Sequence, residues 1–173
     1  MINQSTSISV IIPTFNRENE LKNLIHSLKE SFQYLPNENE PEIIVSDDST
    51  NDQTKQLMRN NFPELIWIKG LKKGPGANRN NGARLAKGDW LIFIDDDCYV
   101  NQQYIQAYLE NMKVGAHKVL EGKIICPDKK NSIFVRQPEN STGGVLASAN
   151  FAIRRDLFEE IGGFDEDLNI MED

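Results

Sequence analysis

Four short apolar runs, each ending in polar or acidic residues and each followed by a segment of helical character, constrain this chain more than any other feature. Ile8-Ser9-Val10-Ile11-Ile12-Pro13, Glu42-Ile43-Ile44-Val45-Ser46, Leu65-Ile66-Trp67-Ile68 and Trp90-Leu91-Ile92-Phe93-Ile94 read as strands. Between the first two, Leu21, Leu24, Ile25, Leu28 and Phe32 recur at helical spacing, with Asn16 as the expected N-cap and His26 on the opposite, solvent face. A short helix is expected over 52–59, and one rich in small residues over 77–86 with Gly88 at its end. Tyr104, Ile105, Tyr108, Leu109 and Met112 mark a further helix. Residues 119–126 and 147–153 read as strands and 156–161 as a helix closed by Gly162-Gly163, while 127–144 is a long polar segment expected to be a loop. Strands alternating with helices imply an α/β fold with a mostly parallel sheet covered by helices on both faces. Apolar strands without alternation fit that burial.

Composition narrows the class. With 173 residues, 39% hydrophobic and 26% charged, the chain has the make-up of an ordinary globular protein. A chain of this length buries roughly 70% of its unfolded surface, so no disulfide or metal staple is required. Cys98 and Cys126 are too few for a disulfide framework and fit a reducing, cytoplasmic setting. The polar N-terminus lacks a basic stretch, and the apolar run 8–12 is too short for a signal peptide or membrane span. The net charge of −7 is uneven: residues 1–87 carry 11 basic and 10 acidic side chains, and residues 88–173 carry 8 and 16. An acidic chain of this kind is a poor nucleic-acid binder, because phosphate binding runs on clustered Lys and Arg, so nucleic acid is not an expected partner.

In open α/β sheets ligands bind beyond the carboxyl ends of the strands. The unusual residues of this chain stand at those ends: Pro13-Thr14-Phe15-Asn16-Arg17, Asp47-Asp48-Ser49, the glycine loop leading to Arg79, and Asp95-Asp96-Asp97. Three adjacent acids would repel one another without a cation, and carboxylates are hard ligands suited to Mg²⁺ or Mn²⁺. The alternative is an acidic turn capping the helix near Asn101; the apolar run feeding into the triplet favours the metal. Gly74-Pro75-Gly76-Ala77-Asn78-Arg79 begins like a dinucleotide fingerprint but has Arg in place of the third Gly and follows the third strand, which disfavours a dehydrogenase. It reads equally as a loop starting a helix or as a phosphate approach supported by Arg79. Asp47-Asp48 can cap the next helix or accept a hydrogen bond from a base N–H. Cys98 has no histidine placed to activate it and reads as a small buried residue.

Five segments in order resemble the family 2 glycosyltransferases, inverting enzymes of the GT-A fold. They are Val10-Ile11-Ile12-Pro13-Thr14-Phe15-Asn16-Arg17, the stretch from Ile44 through Asp47-Asp48-Ser49-Thr50 to Asp52, Gly76-Ala77-Asn78-Arg79-Asn80-Asn81-Gly82-Ala83, Phe93-Ile94-Asp95-Asp96-Asp97, and Gly162-Gly163-Phe164-Asp165-Glu166 followed by Glu172-Asp173. The resemblance covers nearly the whole chain. It implies a Rossmann-like α/β/α sandwich, with a nucleotide-binding half over 1–100 and an acceptor-side half over 101–173. Thr14 and Asp47 would hold the base, with Pro13, Asn16 and Arg17 beside them. Asp48 and Arg79 would line the nucleotide site. Asp95 would contact ribose, Asp96 would fill the variable position, and Asp97 would bind Mn²⁺ or Mg²⁺ as the last acid of a DxD motif. Asp173 would be the catalytic base.

The implied reaction is transfer from a nucleotide sugar, with UDP as the expected nucleotide, to a saccharide or lipid-linked acceptor. That acceptor class is compatible with peripheral association at the inner face of a membrane. The chain stops at Asp173, where family members normally continue, so the donor half is expected to be complete and the acceptor half incomplete. A catalytically inactive nucleotide-sugar binding module is the alternative. An aspartate-dependent phosphohydrolase would leave Asp47-Asp48 and Gly162-Gly163-Phe164-Asp165-Glu166 unexplained.

Overall fold

The computed structural model describes residues 6–35, 40–125, 140, 142–144 and 146–167. Cys126, the 127–139 stretch, Glu172 and Asp173 lie outside the described residues. The elements in chain order are β1 (Ile8–Thr14), α1 (Glu18–Phe32), β2 (Glu42–Asp47), α2 (Gln53–Asn61), β3 (Ile66–Lys69) and α3 (Pro75–Ala83), followed by β4 (Trp90–Ile94), α4 (Tyr104–Lys113), β5 (Val119–Glu121), β6 (Asn150–Arg154) and α5 (Arg155–Glu160).

The strands form one six-stranded sheet in the order β3-β2-β1-β4-β6-β5. The first four are parallel, and β6 runs antiparallel to both β4 and β5. The chain works outward from β1 to β3 and then returns to place β4 on the other side of β1. That reversal opens a crevice at the carboxyl ends of β1 and β4, where open α/β sheets take their ligands.

Side-chain alternation explains why the central strands carry consecutive apolar residues, which serve both faces of the sheet. Val10 and Ile12 of β1, Ile43 and Val45 of β2, and Ile92 and Ile94 of β4 face the layer of α1, α2 and α4. Ile11, Ile44, Leu91 and Phe93 face the layer that contains α3 and α5. The two faces need different helices. α1 brings Leu21, Leu24, Ile25 and Leu28, all fully buried. α3 brings small residues because it lies tight on β1: a Cβ at Gly82 would sit 2.6 Å from the Ile11 Cγ2 methyl.

Three sequence expectations are corrected. Asn16 does not cap α1; Arg17 is the N-cap residue, and Asn16 adopts a positive φ of 53° with its side chain turned to the 50–51 backbone and amide instead. α3 begins at Pro75, not residue 77, because proline at the first helical position forfeits no helical bond. The strand expected over 119–126 ends at Glu121, where the Asn150 side chain occupies the space beside Gly122 and leaves no room for a Cβ.

Candidate functional site

Register carries Thr14, Asp47 and Lys69 to one level at the ends of β1, β2 and β3. α3 ties these ends together through two asparagines. Asn78 Nδ2 donates to the Ser46 carbonyl at 2.9 Å and to the Thr14 carbonyl at 3.4 Å, while its Oδ1 accepts from Ser46 Oγ at 2.6 Å. Asn81 Nδ2 donates to Ser46 Oγ and to the Lys69 carbonyl. The strand ends are thus set by side-chain amides where the ladder itself has stopped.

Asp47 and Asp48 are both buried. Asp47 accepts the Ser49 N–H at 2.9 Å on one oxygen and the Trp67 indole N–H at 3.0 Å on the other. Asp48 turns the other way and accepts the Lys72 N–H at 2.8 Å, which anchors the glycine loop before α3. Burial pushes the Asp48 carboxyl above the usual carboxylate range, against the pull of that bond. Pro13 pairs with Ser46 in register, and the Asn16 N–H donates to Ser49 Oγ, so the ends of β1 and β2 are joined again beyond the ladder.

The acid triplet is compensated by two arginines, which corrects the expectation that only a cation could relieve its repulsion. Arg79, 2% exposed, places Nη2 2.6 Å from Asp95 Oδ1. Arg17 Nη1 lies 3.0 Å from Asp97 Oδ2 and 3.4 Å from Asp96 Oδ1. Asp96 also accepts the Thr14 hydroxyl at 2.6 Å, linking β1 to the turn after β4. Burial raises the Asp96 carboxyl to about 6, although Thr14 and Arg17 favour its charge. Asp97 is the exposed member, with its side chain 53% accessible. The triplet does not cap α4, whose N-cap residue is Gln103. Cys98 is pushed up to about 12 by burial, with Asp95 and Asp97 adding to the shift, so it is no nucleophile. Among the described residues, no three His, Cys, Asp or Glu side chains are grouped to hold a cation.

The Gly162-Gly163-Phe164-Asp165-Glu166 segment docks on α3. Asn80 Nδ2 donates to the Phe164 carbonyl at 2.8 Å, and the Phe164 N–H donates to Asn80 Oδ1 at 2.9 Å. The Phe164 ring packs edge-on to Phe93 at 5.0 Å between centroids and lies 5.6 Å from the Arg79 guanidinium. The segment therefore adjoins the acid triplet through consecutive residues of one helix. Sequence reasoning assigned no role to Asn78, Asn80, Asn81 or Trp67; the asparagines were signalled only by their recurrence inside the α3 motif, and Trp67 read as one more apolar residue of its strand. On the far side of β6, the Glu121 carboxylate accepts from the Asn140 side chain and from the Gly144 and Leu146 N–H groups, shaping the described part of the polar loop.

A family model, described as glycosyl transferase family 2, matches residues 9–164. The chain belongs to glycosyl transferase family 2. The fold expected from its motifs is present, and solved structures agree: the crystal structure of Staphylococcus aureus TarS 1-349 superposes with a TM-score of 0.70 at 26% identity, over 95% of this chain and 52% of that one. TarS 1-349 in complex with UDP-GlcNAc matches at a TM-score of 0.67 and 25% identity, over 90% and 47%. A curated relative in Haemophilus influenzae, described as a glycosyltransferase, is 28% identical over 96% of this family 2 chain and 59% of its own length. A beta-1,3-glucosyltransferase of Campylobacter jejuni named for the acceptor GalNAc(5)-diNAcBac-PP-undecaprenol is 41% identical over 52% of the chain and 29% of its own. The chain spans less than two thirds of the length of these relatives.

Proposed function

We propose that this chain holds the donor-binding part of a transferase that moves a sugar from a nucleotide sugar, UDP-linked in the first instance, to an acceptor hydroxyl with inversion. The convergence of Thr14, Asp47, Asp48, Arg79 and the acid triplet at one sheet edge carries this reading, beside the family match. In it, Asp47 and Thr14 take the base, flanked by Pro13, Asn16 and Arg17. The Ser49 and Trp67 bonds leave each Asp47 oxygen a second lone pair, so the carboxylate is held in place and can still accept a base N–H. Arg79 fixes the Asp95 carboxylate that takes the ribose, and Asp48 and Asp96 shape the walls.

A divalent cation, Mn²⁺ or Mg²⁺, belongs with Asp97 in this reading. The donor set fits: an exposed carboxylate is a hard oxygen ligand, and such ions are commonly held by one or two carboxylates with substrate phosphates and water completing the shell. When bound, it supplies neutralisation of charge on the diphosphate leaving group. Asp173 is assigned the acceptor proton, removed as that hydroxyl attacks the anomeric carbon. A single displacement inverts that carbon without a covalent intermediate. A saccharide or lipid-linked acceptor at the cytoplasmic face of a membrane is the partner class we assign. Among the described residues no helix is long and apolar enough to cross a membrane.

The test is thermal stability with UDP, GDP, dTDP and CDP, each with and without Mn²⁺. A ligand at 100 times its Kd stabilises by about 2.7 kcal/mol, which is roughly 5–10 °C at this size. A Mn²⁺-dependent rise with one nucleotide, lost in Asp97→Ala, is the expected outcome. A folded protein that responds to none of the four would sink the reading.

A further inference from the structure

The three acids after β4 are answered unequally. Asp95 pairs with Arg79, whose side chain is 2% exposed. Asp96 is buried and takes the Thr14 hydroxyl at 2.6 Å. Asp97 stands out in solvent, and the group that meets it is the Arg17 guanidinium, 3.0 Å away and itself 46% exposed. A buried partner such as Arg79 is held by the packing around it. An exposed ion pair adds little to stability, so the pair at Asp97 can be exchanged at small cost.

The backbone that carries Arg17 is fixed without help from its side chain. Asn16, just before it, adopts a φ of 53°, donates its N–H to Ser49 Oγ and accepts the Thr50 N–H at 3.0 Å on Oδ1. The Arg17 carbonyl accepts the Leu21 N–H in the first turn of α1. Arg17 is the N-cap residue of that helix, yet its side chain makes no capping bond. Caps are made by short side chains that carry an oxygen acceptor, and a guanidinium has none. Helix formation therefore does not account for an arginine here, whereas the two acids it meets do.

Arg17 and a divalent cation compete for the same carboxylate. A cation on either oxygen of Asp97 would sit beside a guanidinium of like charge, with twice the repulsion of two single charges at that distance. A nucleotide diphosphate changes the balance. Its oxygens can complete the shell of the cation and can also accept the displaced guanidinium.

We propose that Arg17 is a placeholder at Asp97: it holds off a divalent cation until a nucleotide diphosphate takes both charges, so that metal and nucleotide bind together. The proposal rests on the reading of Asp97 as the metal ligand.

The test is Mn²⁺ binding to the protein without nucleotide, read from the paramagnetic resonance of free Mn²⁺, beside the Kd of the Mn²⁺–UDP complex by calorimetry. Arg17→Gln is expected to bind Mn²⁺ alone about tenfold more tightly than the parent, and the Mn²⁺–UDP complex no more tightly. Arg17→Lys keeps the charge and is expected within about threefold of the parent in both. Asp97→Ala in the Arg17→Gln background is expected to abolish the gain. Arg84→Gln removes an equal charge from the pair with Glu166 and is expected to change Mn²⁺ affinity by less than about twofold. Mn²⁺ affinity that fails to rise in Arg17→Gln overturns the proposal. So does an equal rise in Arg84→Gln, a gain that survives the loss of Asp97, or a Mn²⁺–UDP complex that tightens in step with Mn²⁺ alone. Asp97→Ala in the parent separates the two readings. An unchanged Kd for Mn²⁺–UDP there removes the metal assignment, whereas a weakened one beside an indifferent Arg17→Gln removes only the placeholder.

Discussion

Asp48, one residue beyond β2, is a buried carboxyl that accepts the Lys72 N–H. Its pKa is raised by burial, so ionisation costs the folded state more than the unfolded one. The sign follows by linkage: the native chain holds this proton to higher pH, so stability falls as pH rises from the unfolded carboxyl range through the folded value. Asn at this position keeps the acceptor and removes the charge. Asp48→Asn is therefore expected to be more stable than the parent at pH 7.5, with the gap closing as pH falls to about 3.5, below the ordinary Asp range. Urea midpoints at the two pH values measure it, and an equal gap at both would contradict the burial argument. The sequence marked Asp47 and Asp48 as a pair with one context. Only the fold separates them, Asp47 at the last position of β2 bonded to Ser49 and Trp67, and Asp48 just past it bonded to the glycine loop.

Among the elements, α3 is the one on which the site depends. Its mixture of Gly, Ala and Asn looks like a weak helix by propensity. Packing explains the choice: Gly82 lets the axis approach β1, and Asn78, Asn80 and Asn81 spend their amides on strand ends and on the docked C-terminal segment. Gly82→Val would drive its Cβ into the Ile11 methyl, a β-branched side chain with no freedom to swing aside. The expected loss is about 1–3 kcal/mol in chemical denaturation, the usual cost of overpacking. A neutral substitution would mean that α3 can lift from β1 without consequence. The boundaries of β1, β2 and β4 were legible from apolar runs, since burial on both faces forces such runs. The early end of β5 was not legible, because it is set by the Asn150 side chain arriving from another strand.

Over the whole molecule, the layer of α3 and α5 is completed by Phe164, which comes 71 residues after Phe93 in the chain and meets it edge-on. Phe164→Ala is expected to cost about 2–3 kcal/mol, below the figure for a fully buried Phe because the ring is only partly enclosed. Ile161→Ala, three residues earlier and 60% exposed, is expected to change stability by no more than about 0.5 kcal/mol. Equal midpoints for the two variants would show that the C-terminal segment does not belong to the cooperative unit. The sequence by itself determined the α/β class, the central strands and the family, because periodicity and short motifs are local properties of the chain. Tertiary structure alone decided the antiparallel turn of β6, the arginine that answers each acid, and the use of Asn80 to hold Phe164. Those depend on which distant residues share a strand end, and that is set by register and helix packing once the chain has closed.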